Sequence, residues 1–181
     1  MGVPEDLLAA AKQCLAERGY AKTTVRDIIA ISGSNLAAIN YHFRSKDALL
    51  NQAMIETTGD AVQEILKAMP EGPQNLETFW EGMTRSFRER PELWRANVVA
   101  LAQAPHSPEL RGQLAEGQAR ARAELAETLS GDEGEQSKAL LTLVIGMLVQ
   151  WMIDSDHAPT AGELVRGLGA LNSQQDRHQD Q

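Results

Sequence analysis

The sequence predicts an all-α protein of about nine helices, with a short N-terminal helix-turn-helix unit followed by a larger helical region. Three observations support this fold class. Apolar residues recur at spacings of three and four along nearly the whole chain, and no segment alternates apolar and polar residues as a half-buried strand does. The composition is rich in Ala and Leu, with 4% aromatic residues, and its 43% of hydrophobic residues can fill a core.

The first three helices are short and fall within the first 45 residues. They are expected at about residues 5–18, 24–31 and 36–42. Thr24, with Asp27 three residues later, forms an N-cap pattern for the second helix. Gly33 lies in the tight turn that follows, and Asn35 is a suitable N-cap for the third helix. Two helices joined by such a turn predict a helix-turn-helix within residues 1–45.

The remaining helices are longer, and Pro, Gly and Ser residues separate them. Ser45 caps a helix over about 46–69, and breaks follow at 70–73, 91, 104–108 and 131–134. The eighth helix is expected at 135–153. Thr160 and Glu163 repeat the N-cap pattern at the start of the ninth. The predicted division is therefore a head at 1–45, a helical domain at 46–172 and a disordered polar tail at 173–181.

The charge is distributed unevenly along the chain. The net charge is −8, but residues 1–50 carry six basic and five acidic residues, a net +1. The rest of the chain holds the other 11 of 17 basic and 20 of 25 acidic residues, a net −9. A protein that contacts phosphates needs local positive charge rather than a basic total, so this asymmetry is compatible with a nucleic-acid-binding head on an acidic body.

Several other functions lack support in the sequence. Cys14 is the single cysteine, which excludes an intrachain disulfide or a thiolate metal cluster, and its helix position predicts a buried structural thiol. No second metal ligand lies at a suitable spacing from any histidine, no cofactor is implied and no enzyme motif is found. The apolar run 139–153 is shorter than the roughly 20 residues of a membrane-spanning helix. Without a signal peptide, these features predict a cytoplasmic protein that is not an enzyme.

The predicted helix-turn-helix carries side chains suited to double-stranded DNA. The second helix of such a unit enters the major groove while its partner crosses the backbone. Asn40 can pair with a base edge or a phosphate, and Leu36 and Ala38 can contact thymine methyl groups. The other candidate DNA contacts, which can donate to phosphate or lie in the turn, are Thr24, Arg26, Ser34, Asn35, Tyr41, His42 and Lys46.

These residues resemble a known family signature. The run TTVRDIIA (23–30), Gly33 and the run AINYHFRSKDALL (38–50), preceded by Gly19-Tyr20, resemble the N-terminus of TetR-family regulators. The resemblance implies that Tyr41, His42 and Lys46 meet the DNA backbone. It also implies a homodimer formed through the last two helices and, because such a dimer is symmetric, a palindromic operator. The sequence departs from the family pattern at Ser34, Leu36 and Ala37, so relatives do not predict the operator.

The resemblance also implies a small-molecule inducer held in the C-terminal domain. Aromatic and methionine side chains on the fifth, sixth and eighth helices are the candidate pocket: Phe79, Met83, Phe87, Trp94, Met147 and Trp151. Ordinary core packing is the alternative for most of them. Two hypotheses about function therefore stay open. The first is a repressor released from its operator by an inducer, and the second is a DNA-binding regulator controlled by a protein partner or by its own abundance.

Overall fold

The computed structural model describes residues 2–69, 75–130 and 134–179, without the side chains of residues 75, 129, 130 and 172–179. Within these ranges there are nine α-helices and no strand, which confirms the predicted fold class. The helices are α1 (Val3–Arg18), α2 (Val25–Ser32), α3 (Leu36–Phe43), α4 (Lys46–Lys67), α5 (Asn75–Glu89), α6 (Pro91–Gln103), α7 (Pro108–Leu125), α8 (Glu135–Ile153) and α9 (Ala161–Gln179).

The helix bounds follow the sequence pattern closely, with two differences near the C-terminus. The α7 helix ends at Leu125 and continues as a π-helical segment, Ala126–Ser130, where the sequence predicts uninterrupted helix to about residue 129. The α9 helix extends to Gln179, through most of the segment expected to be a disordered tail. No proline or glycine interrupts residues 172–179, so nothing in them stops the helix. The expected breaks at 70–73 and 131–133 lie outside the described residues.

The chain forms two compact units that differ from the predicted domains. The first unit contains the chain up to Ala61 together with Arg90–Arg122, and the second contains Val62–Glu89 and the chain from Ala123 onward. The core of the predicted head also includes residues beyond position 45. The first half of α4, through Leu49, Leu50 and Ala53, is part of its hydrophobic core.

The core of the head is formed by one buried residue or more from each of the first four helices. Its members are Leu7, Ala10, Ala11, Cys14, Ile28, Ile39, Leu49, Leu50 and Ala53. Burial raises the pKa of the Cys14 thiol, which fits the predicted structural role. Phe43 and Tyr20 pack against the edge of this cluster. The recognition helix is thus held to the rest of the head through Ile39 at its centre and Phe43 at its end.

A second cluster in the first unit joins α4 to α6 and α7. Met54 and Ile55 of α4 pack with Ala100, Leu110 and Leu114. The helices approach closely at Gly117, where a Cβ atom would lie 2.5 Å from the Ile55 Cγ2 atom. Any larger residue at 117 would therefore push α7 away from α4 or displace Ile55.

Aromatic residues of α5 dominate the core of the second unit. Phe79, Trp80, Met83 and Phe87 are fully buried, and α5 packs against α8 and α9. The Phe79 and Trp80 ring centroids are 5.0 Å apart, and those of Phe87 and Trp151 are 5.8 Å apart. The spacing of three and four residues on α5 thus produces one buried aromatic face, as the amphipathic pattern predicts.

The α8 helix is apolar on both its buried and its exposed sides. Ser137, Val144, Met147 and Leu148 are its buried residues. An exposed stripe runs along the opposite side through Ala139, Thr142, Gly146, Val149 and Ile153. Among the described helices, α8 is the one whose length and composition would allow it to cross a membrane, which is weak evidence because helices packed inside proteins meet the same criteria.

Candidate nucleic-acid interface

The start of α2 is closed by a reciprocal hydrogen-bonded cap. The Thr24 hydroxyl accepts from the Asp27 backbone N–H at 3.3 Å and donates to Asp27 Oδ2 at 2.6 Å, and the Thr24 N–H donates to the same oxygen at 2.9 Å. These bonds hold the pKa of Asp27 below its usual value, helped by Arg18 at 2.5 Å from Oδ1. Because its proton goes to Asp27, the Thr24 hydroxyl is not available to donate to a phosphate. Arg26, which is exposed, is the side chain placed to do so.

The turn between α2 and α3 uses its polar groups internally. Gly33 has φ +66° and ψ 12°, a left-handed conformation that glycine adopts without strain. The Ser34 N–H donates to Ser32 Oγ at 3.3 Å, and Ser34 is half-buried. The Asn35 side-chain oxygen caps α3 by accepting from the Ala38 N–H at 3.0 Å. Both turn residues were predicted to contact DNA. The groups that they still have available for DNA are the Asn35 amide NH₂ and the Ser34 hydroxyl.

The α3 helix divides sharply into an inner and an outer face. Ile39 is fully buried, and Ala38 and Phe43 pack against the head core. The outer face exposes Leu36, Ala37, Asn40, Tyr41 and His42. Ala38 is half-buried, whereas its neighbour Ala37 is exposed, and the thymine contact expected at Ala38 stays a prediction. A helix rotates about 100° per residue, so a shift of one position changes the face.

The end of α3 is tied to the start of α4 by a tight turn. Arg44 has φ +67° and ψ −39°, and the Ser45 N–H donates to the Phe43 carbonyl at 2.8 Å, which defines a γ-turn. This conformation is strained for a residue with a side chain. The Ser45 hydroxyl then caps α4 by accepting from the Ala48 N–H at 3.0 Å. The turn fixes the start of α4 directly after the exposed end of the recognition helix.

Two aromatic and two charged side chains flank this turn. Tyr41 is 84% exposed, and its ring lies edge-on to His42 with centroids 4.9 Å apart. Lys46 opens α4 and lies 3.5 Å from Asp47 Oδ1, a partly exposed pair that a phosphate can compete with. The exposed end of α3 is therefore followed directly in sequence by the start of α4, where a helix N-terminus favours an anion.

The position of α4 is also fixed by a hydrogen bond from the turn that follows α1. The Tyr20 hydroxyl donates to Asn51 Oδ1 at 2.7 Å. Burial, with a further contribution from Asp47, raises the pKa of Tyr20 to about 12, so the phenol keeps its proton and remains a donor. This bond, the γ-turn at Arg44 and the outward position of Ala37 were not identified by sequence reasoning. Only a helical-wheel count from Ile39 would have indicated Ala37.

The candidate pocket residues are divided between the two units. Phe79, Met83, Phe87, Met147 and Trp151 belong to the second unit, and all but the half-buried Trp151 are buried. Trp94 belongs to the first unit, where it is buried. Trp80, which sequence reasoning omitted from the pocket, is fully buried beside Phe79. Its indole Nε1 and that of Trp151 are buried and have no hydrogen-bond partner in the described part of the chain.

Comparison with known families gives two separate matches. Residues 7–53 match the family model for bacterial regulatory proteins of the tetR family. Residues 72–171, more than half of the chain, match the model for the tetracyclin repressor-like C-terminal domain. The first match contains every candidate DNA contact, and the second contains every candidate pocket residue.

Individual relatives agree with these matches. The chain is 47% identical over 55 residues to the HTH-type transcriptional repressor Rv1474c of Mycobacterium tuberculosis, covering 26% of this chain and 29% of the relative. It is 30% identical over 81 residues to the HTH-type transcriptional repressor AcnR of Corynebacterium efficiens, covering 40% and 43%. The chain thus matches less than half the length of either repressor.

Solved structures share the whole fold at low sequence identity. The multidrug binding protein EbrR, complexed with proflavin, superposes with a TM-score of 0.67 at 18% identity, covering 94% of this chain and 99% of that one. GusR of Salmonella enterica superposes with a TM-score of 0.56 at 22% identity, covering 81% of each chain. At these identities the likeness establishes the fold.

Proposed function

The chain belongs to the TetR family of bacterial regulatory proteins, and on this premise we propose that it is a sequence-specific, DNA-binding transcriptional repressor that a small-molecule inducer releases from its operator. Family membership confirms the predicted family and the prediction of a regulator rather than an enzyme. A regulator that acts on bacterial DNA works in the cytoplasm. The operator, the dimer and the inducer belong to the proposal.

One observation carries the DNA-binding proposal. The outer face of α3 consists of five exposed side chains on a helix whose inner face is anchored in the head core. Arg26 and Lys46 lie at the starts of the helices on either side of it in sequence. A rigid exposed helix, flanked by donors for phosphate, is the arrangement with which a helix-turn-helix enters the major groove. In this arrangement Asn40 contacts base edges, and Tyr41 contacts the DNA backbone.

A fluorescence-anisotropy titration tests the proposal. The full-length protein is titrated against labelled DNA from upstream of its own gene and against scrambled DNA, at 50 to 200 mM salt. We expect tight, salt-sensitive and sequence-selective binding. Tyr41→Ala should weaken binding to all sequences by about tenfold, the usual value of a hydrogen bond to a charged group. Asn40→Ala should change the preference among operator variants.

The control for these variants is Val99→Ala, at a side chain that is 54% exposed on α6. It should bind as the parent protein does. If the upstream fragment shows no selectivity, a selection from random duplexes follows, because the operator can lie elsewhere. Failure of that selection would contradict the DNA-binding proposal.

We propose a second copy of the chain as the partner of α8 and α9. The exposed stripe on α8 is formed by small or apolar residues around Thr142, and Ile153 at its end is 80% exposed. Leu171 on α9 is 63% exposed. A stripe of this kind on a soluble helix requires a partner, and a symmetric dimer supplies one from the same surface. The two heads would then read half-sites about 34–36 Å apart, and the operator would be palindromic.

Ile153→Glu tests the dimer. A charge in the apolar interface should raise the dimer dissociation constant at least tenfold, measured by sedimentation, because a carboxylate would be desolvated there. Val99→Glu adds the same charge at an exposed valine outside α8 and α9 and should leave the dimer intact. If the two variants have the same dimer dissociation constant, the dimer forms through another surface.

Support for an inducer comes from the buried polar atoms of the second unit. Buried N–H groups nearly always have partners, so the two unpartnered indole donors need an explanation. We propose that an inducer bound among the aromatic residues of α5 and α8 accepts a hydrogen bond from one of them. The solved relative EbrR, described as a multidrug binding protein with proflavin, shows this fold with an aromatic ligand. Proflavin is therefore a suitable first probe.

Thermal denaturation with proflavin and a panel of aromatic compounds tests the inducer. A bound compound should raise the melting temperature and also displace the operator in the anisotropy assay. Trp80→Phe, which removes one indole donor, should weaken the response. The alternative is a regulator controlled by a protein partner or by abundance. It gains support if no compound in the panel alters both stability and operator binding.

A further inference from the structure

The first turn of α3 exposes apolar side chains only. Leu36 is 50% exposed, and Ala37 beside it is exposed as well. This turn contains no acidic residue, and the Asn35 oxygen before it accepts from the Ala38 N–H, which leaves the Asn35 amide NH₂ as the side-chain donor at its start. The end of the recognition helix that leads into the groove therefore offers methyl groups where many base-reading helices offer hydrogen-bonding side chains.

An apolar side chain in the major groove contacts one kind of base edge favourably, the edge that carries a methyl group. The C5-methyl group of thymine is the apolar feature among the donors and acceptors of the four base pairs. Placing Leu36 against a guanine or cytosine edge would desolvate donors or acceptors without giving them a partner, which is costly. The methyl of thymine loses nothing by the same contact and gains from leaving water.

From this arrangement we infer that Leu36 and Ala37 are specificity-determining residues that read thymine through its 5-methyl group. The inference rests on the proposed DNA-binding function and adds the chemistry of the half-site. Ala38 is left out of the inference because it is half-buried and packs against the head core. The outer face of α3, which also carries Asn40, Tyr41 and His42, thus begins with an apolar end and continues into a polar one.

The position of Asn40 extends the prediction to a second base pair. Leu36 and Asn40 are four residues apart on one face, which separates them by about 6 Å along the helix axis. Successive bases on one strand are about 3.4 Å apart, so the two side chains address base pairs one or two steps apart. An asparagine amide that reads bases pairs best with adenine. The expected half-site therefore holds a thymine within two base pairs of an adenine read by Asn40.

The experiment compares thymine with deoxyuridine in the selected operator. The operator is first obtained by selection from random duplexes with the full-length protein, and each half-site thymine is then replaced by deoxyuridine. This base pairs identically and lacks the methyl group. We expect about a fourfold loss of affinity at each contacted position, the factor that corresponds to ~0.8 kcal/mol for one methyl group. Replacement outside the half-sites should have no effect.

Two variants assign the contacts to side chains. In Leu36→Ala the deoxyuridine effect should disappear at one position, and in Ala37→Ser it should diminish at a neighbouring one. Val99→Ala, on α6, should retain the full effect. Both head residues are exposed, so the variants should fold, which circular dichroism checks.

The outcomes separate this inference from the proposed function. Sequence-selective binding that tolerates deoxyuridine at every half-site position, or that selects half-sites without thymine, overturns the methyl readout and leaves the repressor proposal intact. An undiminished deoxyuridine effect in both head variants removes Leu36 and Ala37 as its cause. Absence of any selective binding overturns both proposals.

Discussion

The DNA-binding head and the helices that follow α4 differ in how they treat buried polar groups. In residues 2–61 every buried side-chain oxygen and nitrogen has a partner. The buried Thr23 hydroxyl, for example, bonds to the Gly19 carbonyl at 2.8 Å and lies 3.3 Å from that of Cys14. In the described helices α5–α9, four buried atoms have none, on Trp80, Gln113, Glu124 and Trp151. The buried polar side chains of residues 2–61 are thus all paired, whereas the later helices contain groups that a ligand or a movement can satisfy.

This difference matches the tasks that we propose for the two regions. A recognition helix has to present its side chains in one geometry, and a fully bonded head reduces the ordering cost of binding DNA. A region that responds to an inducer needs polar atoms whose best partner arrives with the ligand. Glu124 illustrates this state, because its Oε1 accepts from Gln63 at 2.8 Å while its Oε2 is buried without a partner.

The largest expected effect tests whether the head depends on its core. Ile39→Ala should lower the free energy of unfolding by about 2–5 kcal/mol, since Ile39 is fully buried at the centre of α3. Leu36→Ala, on the exposed side of the same helix, should change it by less than about 0.5 kcal/mol. Urea denaturation measures both. Similar losses would contradict the division of α3 into an inner and an outer face.

A smaller effect is expected for a polar bond within the head. Tyr20→Phe removes the donor to Asn51 Oδ1 and leaves that oxygen partly buried without a partner. The free energy of unfolding should fall by about 1–2 kcal/mol. The variant should also weaken operator binding, because the bond positions α4 relative to α1. An unchanged stability would mean that water replaces the phenol at no cost.

The corresponding substitution in the later helices, Gln113→Met, should affect the free energy of unfolding less than Tyr20→Phe does. The Gln113 side chain donates to the Ala48 carbonyl at 3.0 Å, but its Oε1 is buried without a partner. Gln113→Met keeps the length and removes both polar groups, so stability should change by less than about 1 kcal/mol, in either direction. Operator affinity should still fall, because the bond holds the first turn of α4. If Gln113→Met lowers the free energy of unfolding as much as Tyr20→Phe does, the proposed difference between the two regions is wrong.

The smallest effect concerns two N-caps, one in each region. Thr24 caps α2 with Asp27, and Thr160 caps α9 with Glu163 through the same three bonds. The hydrogen bonds from each threonine lower the pKa of its partner carboxyl. Each carboxyl therefore stabilises the fold above its ordinary pKa, and the contribution is lost as the pH falls through the lower folded value.

Threonine-to-valine substitution at each cap tests this assignment. The pKa of Asp27 should rise in Thr24→Val and that of Glu163 in Thr160→Val, measured by NMR titration of the side-chain carbons. Asp27 should keep part of its shift, because its pair with Arg18 remains. A complete return of the Asp27 pKa to the usual value would show that this ion pair has no effect in solution.

Much of the fold and part of the site were predictable from local pattern. The caps at Thr24, Asn35 and Thr160 were identified because an N-cap depends on residues three positions apart. The α8 bounds were predicted correctly because charged and turn residues flank its apolar run. In the structure α9 continues to Gln179, beyond the helix end expected near residue 172, because polarity alone does not prevent a helix from continuing.

By itself, the sequence determined the nine helices of the described residues, the helix-turn-helix and the family, since each follows from short-range periodicity, capping and a contiguous motif. Only the tertiary structure decided which residues face outward and which polar groups remain available. It left Ala37 exposed and Ala38 half-buried, paired the Thr24 hydroxyl with Asp27, and joined Gln113 to Ala48 across 65 positions of sequence. These properties depend on partners brought together by packing, and no local pattern contains them.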